Sequence, residues 1–354
     1  MHDPENRPMT RMSPRRSHRP RIALAVAMAM LVAGCGFSSE AGPTEPAAKV
    51  EAGTTAPSPQ PPSTFEGSFR EVGGWIAYTG ADGIWAVDPA RPNRRARLSR
   101  ADGDPIAWSS DGTKLLIRRT SGPSAGLSVL EADGTETRLT EADVEGASFS
   151  PDGSEVVYAA GPWEHSAIYA VSSHGGAPRL ILRSTRRISH YGRKLLAYAE
   201  EPALSPDGRR IAYFDGFGDH SHQLWVANAD GTERRVLLDD EFSGAGHIRA
   251  LTWSPDGGRL AFNTDDGIYL VRPDGTGLRR VVAFAGFATA VQWSPDGSRI
   301  AYLLGGPTCA VSADGEETCE GGALSIVNVE GGDEQVIWGI RTPDIPWIAW
   351  NPRA

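Results

Sequence analysis

The chain has 354 residues, 40% of them hydrophobic and 8% aromatic, with 35 Lys and Arg against 44 Asp and Glu and a formal net charge of −9. Its first 35 residues hold six Arg against Asp3 and Glu5, a net of +4, which leaves −13 on the rest. A phosphate backbone requires a basic groove, so this balance argues against a nucleic-acid partner.

Residues 1–35 read as a targeting segment. Arg11, Arg15, Arg16, Arg19 and Arg21 make a basic leader, and Ile22 to Ala33 is an apolar run too short for a stable membrane span. The run ends in Val32-Ala-Gly-Cys35, which resembles the lipobox of bacterial lipoproteins. That resemblance implies cleavage before Cys35, a lipid on its thiol, and an extracytoplasmic protein anchored to a bacterial membrane.

Residues 36–70 read as a Pro/Ser/Thr-rich flexible linker. Stretches such as Thr54-Thr-Ala-Pro-Ser-Pro-Gln-Pro-Pro62 bury too little apolar surface to offset the entropy of ordering. About thirty such residues at roughly 3 Å each would reach up to about 100 Å.

Residues 71–354 carry a repeat. Trp253-Ser-Pro-Asp-Gly257 and Trp293-Ser-Pro-Asp-Gly297 match in full, while Trp108-Ser-Ser-Asp-Gly112, Phe149-Ser-Pro-Asp-Gly153 and Leu204-Ser-Pro-Asp-Gly208 each change one residue. Their aspartates, Asp111, Asp152, Asp207, Asp256 and Asp296, are 41, 55, 49 and 40 residues apart. A period near forty marks an array of supersecondary units. Each copy reads as a hairpin, because Pro presets φ for the first corner of a turn, Asp bonds its own backbone, and Gly accepts the positive φ that closes the loop.

A third apolar run follows each hairpin, as in Gln223-Leu-Trp-Val-Ala227. An Asp-Gly turn and a fourth run, such as Arg235-Val-Leu-Leu238, complete the unit. Four short strands, a to d from the hub outward, make one propeller blade. At the start, Trp75-Ile-Ala-Tyr78, Gly83-Ile-Trp-Ala-Val87 and Arg95-Ala-Arg-Leu98 supply strands b, c and d without an a. At the end, Trp347-Ile-Ala-Trp350 supplies an a without a b. The expected fold is therefore all-β: a six-bladed β-propeller of four-stranded blades, its first blade closed by the C-terminal strand. Closure leaves no sheet edge for association, and a monomer is expected.

The Ser-Pro-Asp-Gly repeats resemble the WD-like repeats of TolB-type propellers over roughly Glu71 to Ala354. TolB itself carries an α/β domain before its propeller, for which residues 1–70 leave no room, so what that domain does is not carried over.

Two cysteines remain beyond Cys35. Cys309 and Cys319 lie in an insertion between strands b and c of the sixth blade, and Asp314-Gly315 between them suggests a hairpin that brings the thiols within bridging reach. An exported chain favours a disulfide, and a metal pair is the other reading.

Gly122-Pro-Ser-Ala-Gly126 matches the nucleophile-elbow pattern, which requires a strand before it and a helix after it. Here strand-like runs flank it on both sides, so Ser124 reads as a loop residue. Trp108, Trp253, Trp293 and Trp350 share one repeat position, as packing between neighbouring blades demands.

In a propeller the a-to-b and c-to-d turns share one face, and the b-to-c loops and blade links share the other. The first set is short and uniform here. The second gathers His165, His190, Tyr191, Asp215, Asp219 and His247 as a candidate binding face, and His220-Ser-His222 as a candidate pair of ligands for Zn²⁺ or Mn²⁺. His174 falls on the opposite face. Two functions follow: a tethered module that binds an envelope protein, peptide or glycan and needs no cofactor, or a metal-assisted lyase or hydrolase acting on a saccharide or peptide.

Overall fold

A computed structural model describes residues 63–66 and 69–353 apart from 81, 101, 120–124, 162–165, 191–192, 217–221, 240–247, 285–286, 306–307, 312–316, 321–322, 332–333 and 340–346. The described residues belong to one compact unit, Pro59–Ala354, and contain no α-helix.

Blade 1 begins with β1 (Ser63–Glu66), a 3-10 turn (Phe69–Glu71), β2 (Ile76–Gly80), β3 (Gly83–Asp88) and β4 (Arg91–Ser99). Blade 2 is β5 (Asp104–Trp108), β6 (Lys114–Arg119), β7 (Gly126–Glu131) and β8 (Glu136–Thr140). Blade 3 is β9 (Val144–Phe149), β10 (Glu155–Ala160), β11 (Ala167–Ser172) and β12 (Arg179–Arg183). A hairpin of β13 (Arg187–His190) and β14 (Arg193–Leu196) leads to blade 4, which is β15 (Tyr198–Leu204), β16 (Arg210–Gly216), β17 (His222–Asn228) and β18 (Arg235–Leu238). Blade 5 is β19 (Arg249–Trp253), β20 (Leu260–Thr264), β21 (Gly267–Val271) and β22 (Arg279–Ala283). Blade 6 starts with β23 (Phe287–Trp293) and β24 (Arg299–Gly305). A hairpin of β25 (Thr308–Val311) and β26 (Glu317–Glu320) interrupts it before β27 (Ala323–Asn328) and β28 (Gln335–Gly339). Last comes β29 (Ile348–Trp350), which pairs antiparallel with β2 at Ile76↔Trp350, Ala77↔Ala349 and Tyr78↔Ile348.

The ring is closed by these innermost strands, which touch in the cycle β29, β5, β9, β15, β19, β23 and back to β29. Apolar side chains between neighbouring blades form six buried clusters, one for each blade interface. The core is thus a set of wedges rather than one central mass.

The repeat motif explains each hub turn. The Ser hydroxyl donates to the Asp two residues on, at 2.6 Å in Ser109–Asp111, Ser150–Asp152, Ser205–Asp207 and Ser294–Asp296, and at 2.5 Å in Ser254–Asp256. The same hydroxyl accepts the N–H of the residue five on, which opens strand b. Gly closes the loop at positive φ, 69° at Gly297.

The residue that opens strand b also reaches the next blade. The Arg210 guanidinium lies 5.0 Å from the Trp253 ring centre, Arg259 5.1 Å from Trp293 and Arg299 5.7 Å from Trp350. Where the next blade offers Phe149 instead of Trp, the position is Lys114, whose ammonium bonds Ser173 Oγ at 3.1 Å. Where it offers Leu204, the position is Glu155. The Trp residues are 5–8% exposed. Trp108 and Trp253 donate Nε1 to Ala349 O (3.1 Å) and Ala203 O (2.9 Å) on the preceding blade.

One boundary differs from the sequence reading, which places residues 36–70 in the linker. Strand β1 pairs parallel with β4, from Ser63↔Arg94 to Glu66↔Arg97, and adds a fifth strand to blade 1. Phe69 is 2% exposed and packs edge-on against Trp108 at 4.9 Å. The outer edge of β4 offers unpaired backbone groups, and even a polar segment satisfies them.

Deleting residues 347–354 removes β29 and uncovers the edges of blades 1, 2 and 6. With Ile348 fully buried and Trp350 5% exposed, at about 1.5–3 kcal/mol for each large buried apolar side chain the loss is a large share of a marginal stability. The truncated chain is expected to aggregate or to melt far below the intact one in a thermal unfolding scan.

Candidate functional site

The inner strands of blades 3 and 4 carry bulges near the end of the channel opposite the hub turns. Between β9 and β10 the register moves from Ala147↔Tyr158 to Val144↔Ala160, and between β15 and β16 from Ala203↔Ala212 to Glu200↔Phe214. Each bulge holds a residue at positive φ, Gly146 at 82° and Glu201 at 51°. A Cβ on Gly146 would lie 2.8 Å from Glu201 Cα, so only glycine lets the two bulges meet.

That approach brings Glu145 and Glu200 into hydrogen-bond contact. Two carboxyls can make such a bond only if one holds a proton. Burial, then the neighbouring Glu200 and Asp143, push the Glu145 carboxyl up to about 7, with Arg118 pulling the other way. Arg118 bonds Asp143 at 3.1 Å and lies 5.8 Å from the Trp347 ring centre. On its other side Glu200 Oε1 lies 3.1 Å from His222 Nε2.

His222 opens β17 opposite Gly216 of β16. A Cβ there would stand 2.3 Å from the imidazole Cδ2, so Gly216 makes the slot that the ring occupies. The histidine is 5% exposed, and its Nδ1 has no hydrogen-bond partner among the described residues. Below the cluster the inner strands surround a cavity of about 160 Å³ lined by Gly146, Ser148, Glu201, Thr252, Gln292 and Trp347, among others. The arrangement can hold or release a proton near neutral pH and can accept a cationic or hydrogen-bond-donating group at the channel mouth.

The hub-turn face is chemically different. Its carboxylates are spent on their own loops: the Ser150 and Ser294 hydroxyls, then backbone N–H groups, hold Asp152 and Asp296 down at about 2. His174 is exposed there and, among the described residues, bonds its neighbouring serines.

The residues proposed from sequence meet different fates. His222 joins the mouth cluster, as a buried strand residue instead of an extended-loop ligand. Asp215 is 3% exposed and ion-paired with Arg186, whose Nε is 3.0 Å from Oδ1 and whose Nη2 donates to Asp215 O at 2.8 Å. Burial raises its pKa, and bonds from Ser184 and Arg186 oppose the rise. This pair braces the link into blade 4. The His190 backbone lies in β13, paired with Arg193. Cys35, Ser124, His165, Tyr191, Asp219, His220 and His247 lie outside the described residues. Among the described residues no three His, Cys, Asp or Glu side chains converge to hold a metal. In β25 and β26, Cys309 and Cys319 stand directly opposite.

The sequence reading missed the Glu145–Glu200 pair, although the repeat carried a signal for it. Both residues stand four before the last residue of their hub strand, Phe149 and Leu204. Equal repeat positions in adjacent blades are neighbours around the ring.

No protein-family model matches the chain. A curated TolB homologue of Chlorobium luteolum is 31% identical over 139 residues, which cover 38% of this chain and 28% of that relative. Among solved structures, TolB from Acinetobacter baumannii superposes with a TM-score of 0.56 at 16% identity, covering 81% of this chain and 68% of the other. A structure described as TolB from Agrobacterium tumefaciens superposes with a TM-score of 0.53 at 21% identity, covering 75% and 88%. The chain resembles TolB-type propellers in sequence motif and in fold.

Glu145 sets a pH dependence with a definite sign. Its folded pKa lies above that of an unfolded glutamate, so the native state binds the extra proton and stability falls as pH rises from about 4.5 to about 7. Glu145→Gln is expected to remove that slope and to stabilise the protein at pH 8 by on the order of 1 kcal/mol, after allowance for solvent screening at a partly exposed group. Urea unfolding of both proteins at pH 5 and pH 8 measures it.

Proposed function

We propose that the protein is an exported, lipid-anchored propeller that binds a partner in the bacterial cell envelope through the channel-mouth face. The observation that carries this reading is the Glu145–Glu200–His222 cluster. Ionisable groups half-buried against one another cost stability, and the turn chemistry that accounts for the other face does not account for them. Similarity to TolB-type propellers supports an envelope role, with a protein or peptide as the favoured partner over a glycan. No metal or other cofactor is required for it.

The anchor is inferred from Val32-Ala-Gly-Cys35. With the first strand at Ser63, the tether is residues 36–62, which at about 3 Å per residue spans up to about 80 Å. Cys309 and Cys319 are proposed to form a disulfide after export. Opposed residues of an antiparallel pair have Cα separations of about 4.5–5.5 Å, within the bridging range.

Two experiments test the reading. Capture from envelope extract with the wild-type protein is expected to recover a partner that Glu145→Gln with Glu200→Gln loses and that His174→Ala retains. Recovery of the same proteins by all three would reject the mouth as the site. Separately, Cys35→Ala is expected to move the protein from the membrane to the soluble fraction, and unchanged membrane retention would count against lipidation.

A further inference from the structure

In a chain that is acidic overall, residues 165–199 contain five Arg and one Lys and neither Asp nor Glu. The segment includes β12, the outermost strand of blade 3, and the hairpin that leads to blade 4. On it Arg179, Arg183 and Arg187 are exposed. The outer strand of blade 4 stands alongside. The Arg234 Nη1 donates to Arg183 O at 2.8 Å, and Gly231 of the adjoining turn packs against Ile181 O so closely that a Cβ would come within 2.6 Å. Exposed Arg234 and Arg235 thereby extend the cationic edge. The acids on these elements are few. Glu155 pairs with Arg179 at 3.4 Å, Asp215 is buried against Arg186, and Asp230 bonds Thr232 within its turn, leaving Glu233 and, directly after β18, Asp239 exposed.

Apolar side chains protrude from the same edge. Leu180 on β12 is 45% exposed and Val236 on β18 is 40% exposed, two of the four exposed large apolar side chains among the described residues. Guanidinium groups beside outward-facing aliphatic chains suit a surface that is anionic outside and apolar just beneath. A soluble polyanion would engage the arginines and leave Leu180 and Val236 in water.

We infer that the outer edge of blades 3 and 4 is a docking surface for an anionic phospholipid bilayer. Docking there would lay the propeller against the membrane and leave its channel mouth open to a partner. The inference takes the nearness of a bilayer from the anchored reading above, but its test does not depend on Cys35. Every blade and the ring closure are built by residues 63–353, so the unit Pro59–Ala354 serves as the probe.

Co-sedimentation of this unit with vesicles of about 30 mol% phosphatidylglycerol in phosphatidylcholine, and with pure phosphatidylcholine, measures the partition. At low salt the anionic vesicles are expected to bind about tenfold or more tightly, and about 1 M salt to abolish the difference. Arg183→Ser with Arg187→Ser should reduce binding about tenfold or more, Arg183→Lys with Arg187→Lys should retain it, and Leu180→Ser with Val236→Ser should weaken it. Unchanged thermal melting of these surface variants verifies their fold. Equal partition onto neutral and anionic vesicles, or indifference to the Ser variants, would overturn the inference. So would equally tight binding of inorganic polyphosphate that ignores Leu180→Ser and Val236→Ser.

Discussion

The pairing of Ile76, Ala77 and Tyr78 with Trp350, Ala349 and Ile348 is the contact on which the rest of the molecule depends. It joins residues from opposite ends of the folded unit, and it turns a row of blades into a ring. Without it the clusters that blade 1 shares with blades 2 and 6 would each lose a wall. A propeller has no central core to fall back on, so its cooperativity runs around the circumference. The Trp108 indole, which donates to Ala349 O, ties that closing strand to the following blade as well.

The links between blades are written into the repeat as matched pairs. In blades 4, 5 and 6 the residue at the start of strand b is an arginine and the next hub strand ends in tryptophan, as at Arg259 and Trp293, and the guanidinium rests on the indole. The partner changes together with the residue, to Lys114 before Phe149 and Glu155 before Leu204. Blades 3 and 4 therefore meet without this device. They are also where the bulges at Gly146 and Glu201 meet, where the carboxyl pair sits and where the inserted hairpin enters. The hub-strand bulge itself recurs in blades 2, 5 and 6, so what sets this sector apart is the carboxyl pair that the bulges bring together.

The two faces divide the labour of the carboxylates. On the hub-turn face each aspartate of the five Ser-X-Asp-Gly turns accepts a serine hydroxyl and a backbone N–H, which stabilises the charged form. At the mouth, burial and like charge act in the opposite direction on Glu145, and the imidazole of His222 has one nitrogen without a partner among the described residues. The same residue classes thus become scaffold at one end of the channel and reactive groups at the other. What differs is whether the backbone supplies donors within hydrogen-bond reach.

Sequence alone determined the blade number, the order of strands and the sharing of blade 1 between the ends of the fold. The Ser-Pro-Asp-Gly and Asp-Gly turns are encoded by residues within five positions of one another, and such local hydrogen bonding is legible from a motif. The opposition of Cys309 and Cys319 was legible for the same reason, as a hairpin with its turn between them. Tertiary structure alone decided that Glu145 touches Glu200 across 55 residues of chain, that Asp215 is spent on Arg186, that His222 is buried in a slot left by Gly216, and that a polar segment ending at Glu66 adds a strand to blade 1. Each of these contacts depends on where a bulge places the backbone or on which edge a neighbouring element leaves open. Those are properties of the closed ring, and only the Glu145–Glu200 pair left a trace in the chain, as equal positions of two repeats.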